Sequence, residues 1–289
     1  LKADTGSGHN VKKTVFMECG WFYKQEGPKH LKVVGETEAV VEQVKESKKT
    51  SGAVISGIVS RADLTLGEEV IEVLEAHQEA SQGLFRGIRH AGARAEHPET
   101  LSIPGQAPEG LFEDPAFLTG MKVLGKNGFT YDTWHYYYQN RDFADMAKKV
   151  PGTQIVLDHF GTPLGVGPYA DKREEIFTQW QEDINEISKL ENVVIKIGGM
   201  AMPDNGFGWD TRVTPATSDE FVEAQRRYYL HAIDCFGPER CMMESNFPVD
   251  RMSLSYHVLY NGLKKIVSDF SEHEKHQMFY GTTEKVYRV

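Results

Sequence analysis

The chain has 289 residues, of which 40% are hydrophobic and 26% are charged. This composition supplies enough apolar side chains for one large core, and α/β barrels of this length commonly form a single domain. The formal net charge of −10 argues against a nucleic-acid partner, because neutralising phosphates requires an excess of lysine and arginine.

The cysteine content and the hydropathy indicate a cytoplasmic setting. The three cysteines are too few for a disulfide framework, and no two of them form a Cys-x-x-Cys pair. No segment approaches the roughly 20 consecutive apolar residues of a membrane span, and no signal peptide is recognisable. We therefore expect a cytoplasmic protein without a membrane partner.

Runs rich in β-forming residues alternate with longer amphipathic segments, which predicts βα units and a parallel sheet. The first part of the chain gives strands over residues 12–19, 53–60 and 83–90, and helices over 35–49 and 67–80. The first helix has an acidic residue near its start and lysines at its end, as the helix macrodipole favours. The second helix carries apolar residues at helical spacing.

The later part of the chain continues this alternation. A helix is predicted to begin at Asp114 and Pro115, which suit the N-cap and the first helical position. The remaining elements are a strand over 128–135, a helix over 140–149, a strand over 153–160, a helix over 172–190, a strand over 192–199, a helix with Ser218 as its N-cap, a strand over 240–247 and the closing helices.

Seven strands are predicted, whereas a parallel α/β barrel closes with eight. The chain starts at Leu1 in what resembles the end of a helix, so we expect the missing strand to precede it. A doubly wound open sheet is the alternative, but the glycine-rich phosphate loop typical of that fold does not follow the first strand. The sequence predicts an α/β TIM-type (β/α)8 barrel, a single domain over residues 1–289 that lacks its first strand.

Polar side chains collect at the predicted carboxyl ends of the strands, where barrels place their catalytic groups. The set comprises Glu18, Arg61, Asp63, Arg86, Arg89, His90, His135, Asp158, His159, Lys196, Glu244 and Asn246. Any one of them has a structural explanation, such as an Arg–Glu pair inside the barrel. Together they indicate function, because burying charged groups without partners or purpose costs too much free energy.

The alternation of side chains along a strand predicts how some of these residues are oriented. Residues two apart share a face, so we expect Glu244 and Asn246 to point the same way, while the neighbours Asp158 and His159 point oppositely. By the same rule Arg86 shares a face with the histidine four residues later. Arginine suits bidentate binding of a substrate carboxylate, and histidine suits proton transfer or metal binding.

Four motifs resemble the amidohydrolase-related (amidohydrolase 2) family, especially its sugar-lactone and pyrone-dicarboxylate lactonase branches. They are FRGIRH at 85–90, LDHFGTP at 157–163, NVVIKIGGMAM at 192–202 and CMMESNFPVDR at 241–251. The terminal segment MFYGTTEKVYRV resembles the closing helix of the family. The motifs keep the family's order over nearly the whole chain, and the resemblance implies a TIM-barrel hydrolase.

In that superfamily, a His-x-His pair on the first strand, a later histidine and a final aspartate bind a divalent metal or activate water directly. His159 matches the later histidine, and Arg89 matches an arginine that would anchor an acidic substrate. Two departures stand out: no His-x-His spacing occurs in the chain, and Asn246 occupies the place of the final aspartate. Asparagine is a poor proton acceptor and zinc ligand, so Glu244 or Asp250 is the alternative base.

These features predict a hydrolase that acts on a small lactone, or a similar cyclic ester, carrying an acidic group. The predicted catalytic residues are His159, which would orient or polarise the carbonyl, and Glu244 and Asn246, one of which would position the attacking water. The predicted substrate-binding residues are Arg86, Arg89, His90, His135 and Glu18. Aromatic residues at 20–23 and 133–139 would line the pocket or cover the rim of the barrel.

Two alternatives stay open at this point, together with the metal content. The protein would bind one divalent metal ion, zinc or manganese, or none, with His159 as the one matching ligand. A metal-dependent decarboxylase of the same superfamily is the alternative enzyme. A non-catalytic barrel that binds a small acid is the alternative outside catalysis. We expect a small-molecule substrate as partner, and association into a homo-oligomer is left open, since barrels of this size often associate.

Overall fold

Seven parallel strands form one curled sheet, in which each strand pairs with the next along the chain. The computed structural model describes residues 1–49 and 51–289. The strands are β1 (Lys13–Met17), β2 (Val54–Ser60), β3 (Phe85–Arg89), β4 (Thr130–Thr133), β5 (Ile155–Leu157), β6 (Val193–Ile197) and β7 (Cys241–Met243). This is the predicted TIM-like α/β barrel architecture. The additional strand expected before Leu1 stays a prediction.

Each strand lies inside its predicted range. Every strand except β2 ends before the last residue of the range predicted for it. The runs are short and rich in β-branched residues, as is typical of parallel strands buried on both faces. Several of the polar residues that were included at the predicted strand ends, among them His159, Glu244 and Asn246, lie in loops instead. Strand alternation therefore does not apply to them, which changes where several of their side chains point.

Most of the helices cover the outer face of the sheet, and the last, α10, packs inside it. They are α1 (Lys2–Thr5), α2 (Val34–Lys48), α3 (Val70–Ala80), α4 (Pro115–Lys126), α5 (Asn140–Lys149), α6 (Arg173–Ser188), α7 (Ser218–Phe236), α8 (Tyr256–Ile266), α9 (Glu272–His276) and α10 (Thr282–Tyr287). None of the helices in the described part of the chain is long and apolar enough to cross a membrane.

The helix starts show which cap predictions hold. Asp114 caps α4 as predicted, accepting a hydrogen bond from the backbone N–H of Ala116 at 2.7 Å. The predicted N-cap of α7, Ser218, is wrong by one residue. Thr217 caps that helix, because Glu220 then sits three positions later and completes a capping box with it.

Apolar side chains on the two faces of the sheet form separate cores. The outer core, between strands and helices, includes fully buried aromatic side chains such as Phe117 and Trp180. The inner core is smaller and is built from one inward-facing residue on each of several strands, among them Val59, Val156 and Val194. Polar side chains at the carboxyl ends of the strands lie above this inner layer, which is where the candidate site is found.

The C-terminal end of the chain packs into the inner core. Val286 and Tyr287 of α10 are buried there against the inward-facing strand residues. Val289 reaches Gly57 on β2 so closely that a β-carbon at this glycine would lie 2.8 Å from the Cγ1 of Val289. The last residues therefore fill the inside of the sheet below the polar layer.

Candidate active site

Eight polar side chains meet inside the curled sheet, above the inner apolar core, and we call them the interior cluster. Its members are Glu18, Arg89, Asp132, Asp158, His159, Lys196, Glu244 and Tyr287. All but Tyr287 lie on β3, β4 or β6 or in a loop that directly follows β1, β5 or β7. Six of the predicted strand-end residues are thus brought together with two further groups, Asp132 and Tyr287.

Lys196 occupies the centre of the interior cluster. Its Nζ lies 2.9 Å from Oδ2 of Asp132 and 2.8 Å from Oδ1 of Asp158, and both carboxylates are completely buried. Burial alone would lower the pKa of Lys196, but the two carboxylates raise it well above its usual range. The ammonium group therefore stays charged and holds the ends of β4 and β5 together.

Asp132 connects the interior cluster to the end of the chain. Tyr287 donates its hydroxyl proton to Oδ2 of Asp132 at an O–O distance of 2.5 Å, across 155 residues of sequence. Burial raises the pKa of Asp132, and the Lys196 ammonium opposes that shift. The pKa of Asp158 changes the other way: burial would raise it, but the neighbouring cations, chiefly Lys196, lower it overall.

Arg89 is held by two carboxylates. Its Nε donates to Oε1 of Glu18 at 3.0 Å, its Nη2 donates to the backbone carbonyl of Glu18, and its Nη1 lies 3.8 Å from Oδ2 of Asp158. Burial would lower the pKa of this guanidinium, whereas Glu18 and Asp158 raise it. The residue predicted to anchor a substrate carboxylate is therefore already neutralised by the protein's own acids.

His159 and Glu244 form a short pair at the carboxyl ends of β5 and β7. Nδ1 of His159 lies 2.6 Å from Oε1 of Glu244, and the two side chains are 8% and 15% exposed. Burial alone would lower the pKa of His159, but the Glu244 carboxylate raises it overall. Within the described part of the chain, neither Nε2 of His159 nor Oε2 of Glu244 has a hydrogen-bond partner, so both atoms are available to a bound molecule.

Two glycines after β6 make room for this pair. A β-carbon at Gly198 would lie 2.5 Å from Cγ of Glu244, and one at Gly199 would lie 2.3 Å from Nδ1 of His159. His159 itself has a left-handed backbone conformation with φ of 52°. The close approach explains why the sequence KIGGMAM needs glycine at both positions.

The prediction that Asp158 and His159 point in opposite directions implies that only one of them faces the interior. This is wrong, since both side chains reach the interior cluster. β5 ends at Leu157, and the left-handed φ of His159 rotates its side chain toward Glu244 instead of away from the interior. Strand alternation predicts orientation only while the backbone stays extended. The turn after β5 was not visible from residue spacing.

The spacing predicted that the side chains of Asn246 and Glu244 point the same way, and this prediction is wrong. β7 ends at Met243, and Asn246 has φ of 48°, which turns its side chain toward the next loop. Its Nδ2 donates to Oδ1 of Asp250 at 2.9 Å. Asp250 is completely buried, and burial raises its pKa to about 7, with the His159 imidazole opposing the shift. Asn246 thus orients a second acid beside the pair of His159 and Glu244.

Arg86, predicted to bind substrate, lies at the opposite end of β3 from the interior cluster. Its Nη1 donates to the backbone carbonyls of Gly83 at 2.7 Å and Phe85 at 3.0 Å. The register between β2 and β3 shifts at this point, so that Arg86 is an extra residue in the ladder. Arg86 is near the C-terminal Arg288, at the end of β3 away from the interior cluster.

His90 and His135 also lie outside the interior cluster and face the helices, which corrects their predicted placement. His90 accepts a hydrogen bond from the backbone N–H of Leu64 at 3.2 Å, and His135 Nε2 lies 2.9 Å from Oδ1 of Asn140. Burial lowers the pKa of His90 to about 3 and that of His135 to about 4. Both are neutral core histidines: His90 packs against Phe117, and His135 stacks on Phe143.

Two members of the interior cluster were missed by the reasoning from sequence. Asp132 lies within the predicted fourth strand, and its alternation with the outward-facing Tyr131 could have placed it inside. Tyr287 had no local signal, because its partner is 155 residues away. Lys196 and Asp158 had been noted as strand-end charges without an assigned role.

The donors in this site do not match a divalent metal ion. Over the residues that the structure describes, no group of three or more His, Cys, Asp or Glu side chains is arranged to hold one. The space between the carboxylates of Asp132 and Asp158 is taken by the ammonium group of Lys196. His159 directs Nδ1 at Glu244, so it has one ring nitrogen left.

Comparison with known proteins places this geometry in context. A family model described as amidohydrolase matches residues 44–289. The protein y4mH of Sinorhizobium fredii, which is uncharacterised, is 31% identical over 233 residues, covering 81% of this chain and 70% of that relative. L-fucono-1,5-lactonase of Burkholderia multivorans is 25% identical over 211 residues, covering 71% of this chain and 65% of that enzyme, just under two thirds of its length.

A solved structure has the same fold. The crystal structure of an amidohydrolase from Burkholderia multivorans with bound zinc superposes with a TM-score of 0.69, covering 96% of this chain and 99% of that one. Sequence identity in this pair is 17%, so the likeness describes the architecture and not the chemistry.

Proposed function

The chain belongs to the amidohydrolase family, and on that premise we propose that it hydrolyses a small lactone or similar cyclic ester carrying an acidic group. The observation that carries this proposal is the pair of His159 and Glu244, 2.6 Å apart at the carboxyl ends of the strands, with one free nitrogen and one free oxygen. The 25% identity to an L-fucono-1,5-lactonase supports the lactone as substrate class.

His159 would act on the carbonyl group of the substrate. The Glu244 carboxylate raises the pKa of His159 and so favours the protonated imidazole, with Nδ1–H bonded to Glu244. Nε2–H is then free to donate a hydrogen bond to the carbonyl oxygen and to stabilise the negative charge that develops on it. A donor fixed in this way, in a site with little water, contributes more to catalysis than the same donor in solution.

Glu244 would accept the proton of the attacking water through Oε2. The water oxygen bonds to the carbonyl carbon, and the tetrahedral intermediate carries its charge next to His159. When the ring C–O bond breaks, the leaving alkoxide takes the proton back from Glu244. The product is the open hydroxy acid, and both residues return to their starting protonation states.

The test is an assay of a panel of small lactones with the wild type and with Glu244→Gln, which keeps the shape of the side chain. General-base catalysis typically contributes about 10²- to 10⁴-fold, so we expect the variant to lose roughly that factor in kcat. Glu239→Gln, at an exposed position before β7, is the matched control and keeps the wild-type rate. If the wild type opens no lactone, hydrolysis of lactones is ruled out. If Glu244→Gln keeps the full rate, Glu244 is not the base.

A non-catalytic barrel that binds a small acid is the second candidate, and Asn246 is the observation that favours it. The amide cannot accept a proton, and it stands where the family resemblance expects an aspartate. The metal-dependent decarboxylase has less support, because the donors described above do not match a metal ion.

A further inference from the structure

Arg61 lies at the catalytic face directly after β2. Nη1 of Arg61 lies 3.3 Å from the backbone carbonyl oxygen of Ala62 and 3.5 Å from that of Arg89. These contacts hold the half-buried guanidinium beside the last residue of β3, at the carboxyl end of the sheet.

Arg61 differs from the other cations of this region in lacking an acidic partner. The paired cations are Arg89 with Glu18, Lys196 with Asp132, and His159 with Glu244. In the described residues, no carboxylate oxygen lies within 4.0 Å of the Arg61 guanidinium. The acid nearest in sequence, Asp63, instead accepts hydrogen bonds from the hydroxyl and the backbone N–H of Thr65, at 2.6 and 3.1 Å.

The hydrogen-bonding capacity of Arg61 is also unfilled. A guanidinium has five N–H donors, and both acceptors found for Arg61 among the described residues are backbone carbonyls bonded to Nη1. Nε and Nη2 are left as a pair of parallel donors. That pair matches the two oxygens of a carboxylate, which arginine binds in a bidentate manner.

We propose that Arg61 binds the carboxylate of the substrate and thereby determines the preference for acidic lactones. This inference rests on the proposed function, and it moves the anion site away from the two arginines suggested by the sequence. Arg86 lies at the wrong end of its strand, and Arg89 is already held by Glu18 and Asp158. Arg61 is half-buried at the same face, and in the described residues no carboxylate oxygen lies within 4.0 Å of its guanidinium.

The kinetic test compares two lactones of the same ring size, one with and one without a carboxylate substituent. We expect Arg61→Gln to raise KM for the acidic lactone roughly 10- to 100-fold, with little change in kcat, because a charged hydrogen-bonded pair is lost. The KM for the neutral lactone does not change. Arg94→Gln, an exposed arginine paired with Glu109, is the control and leaves both substrates unaffected. Equal effects on both lactones would overturn the assignment.

A binding measurement separates this inference from the hydrolysis proposal. Succinate is titrated into the wild type, Arg61→Gln and Arg61→Lys by calorimetry. We expect the Kd to rise at least about 10-fold in Arg61→Gln and less in Arg61→Lys, which keeps the charge but loses the fork of donors. If the wild type binds succinate and Arg61→Gln does not, the anion site stands even when no lactone is opened. If Arg61→Gln binds succinate as the wild type does, or if the wild type does not bind it, Arg61 is not the site.

Discussion

Lys196 is the single residue on which the interior cluster depends most, because two completely buried carboxylates share its ammonium group. Lys196→Met keeps the length of the side chain and removes the charge. Breaking a buried ion pair by removing one partner typically costs about 3–5 kcal/mol, since the remaining charge stays buried without compensation. We expect a loss of that size in the free energy of unfolding, measured by urea denaturation.

The control for this measurement is Lys189→Met. Lys189 is exposed and pairs with Glu186 on the surface, where an ion pair contributes about 0–1 kcal/mol. A loss below about 1 kcal/mol in Lys196→Met would contradict the central role of the buried ammonium.

The titration of His159 is expected to make both stability and activity depend on pH. Burial alone would lower its pKa, and Glu244 raises it overall. A group whose pKa is raised on folding contributes stability that is complete below its unfolded-state pKa and is lost as the pH rises through the folded-state pKa. The proposed mechanism needs the same protonated form, so we expect kcat/KM to fall over that same rise in pH.

NMR titration of the His159 ring measures this directly. We expect its pKa to lie above the ordinary value of about 6.5 in the wild type and to move down in Glu244→Gln. Glu239→Gln leaves the titration unchanged. A His159 titration curve that is the same with and without the Glu244 carboxylate would show that the pair does not set its charge.

The loop after β6 shapes the candidate site, because its glycines leave room for the side chains of His159 and Glu244 to approach each other. Gly199→Ala would place a β-carbon 2.3 Å from Nδ1 of His159, so the ring must move. We expect activity on lactones to fall at least about 10-fold, as misplacement by an ångström can cost more than that.

Gly208→Ala is a matched control for Gly199→Ala. Both glycines have positive φ, 67° at Gly208 and 74° at Gly199, so both substitutions strain the backbone in a similar way. Nothing lies within 4 Å of the β-carbon at Gly208. Equal losses of activity in the two variants would mean that backbone strain, and not the position of His159, explains the effect.

The elements themselves were largely predictable from the sequence, because buried parallel strands are short β-branched runs and the helices between them are amphipathic. The orientation of groups beyond the strand ends was not. His159 and Asn246 adopt left-handed backbone conformations that reverse the predicted direction of their side chains. His90 lies on the outer side of the sheet, where it packs against Phe117 and does not reach the interior cluster.

At the scale of the whole molecule, the end of the chain completes the interior. Tyr287 is buried in the inner core and donates its hydroxyl proton to Asp132. Residue spacing could not predict this contact, which joins parts of the sequence 155 residues apart. The C-terminal helix therefore supports the same carboxylate that Lys196 holds.

Tyr287→Phe removes that hydrogen bond and keeps the ring. Leaving a buried acceptor with one partner fewer costs about 1–3 kcal/mol, and we expect a decrease of that size in the free energy of unfolding. Tyr280→Phe removes a hydroxyl that donates to Glu284 near the surface, and it serves as the control with a smaller effect. A loss in Tyr287→Phe no larger than in the control would contradict the supporting role of the C-terminus.

The central claim is that water, activated beside His159 and Glu244, attacks the carbonyl of an acidic lactone. Ring opening in ¹⁸O-labelled water, followed by mass spectrometry of the product, tests it most directly. The account predicts one ¹⁸O atom in the new carboxylate and none in the new hydroxyl group, with the rate lowered about 10²-fold or more in Glu244→Gln. Label in the hydroxyl group, or no ring opening by the wild type across the lactone panel, would contradict it.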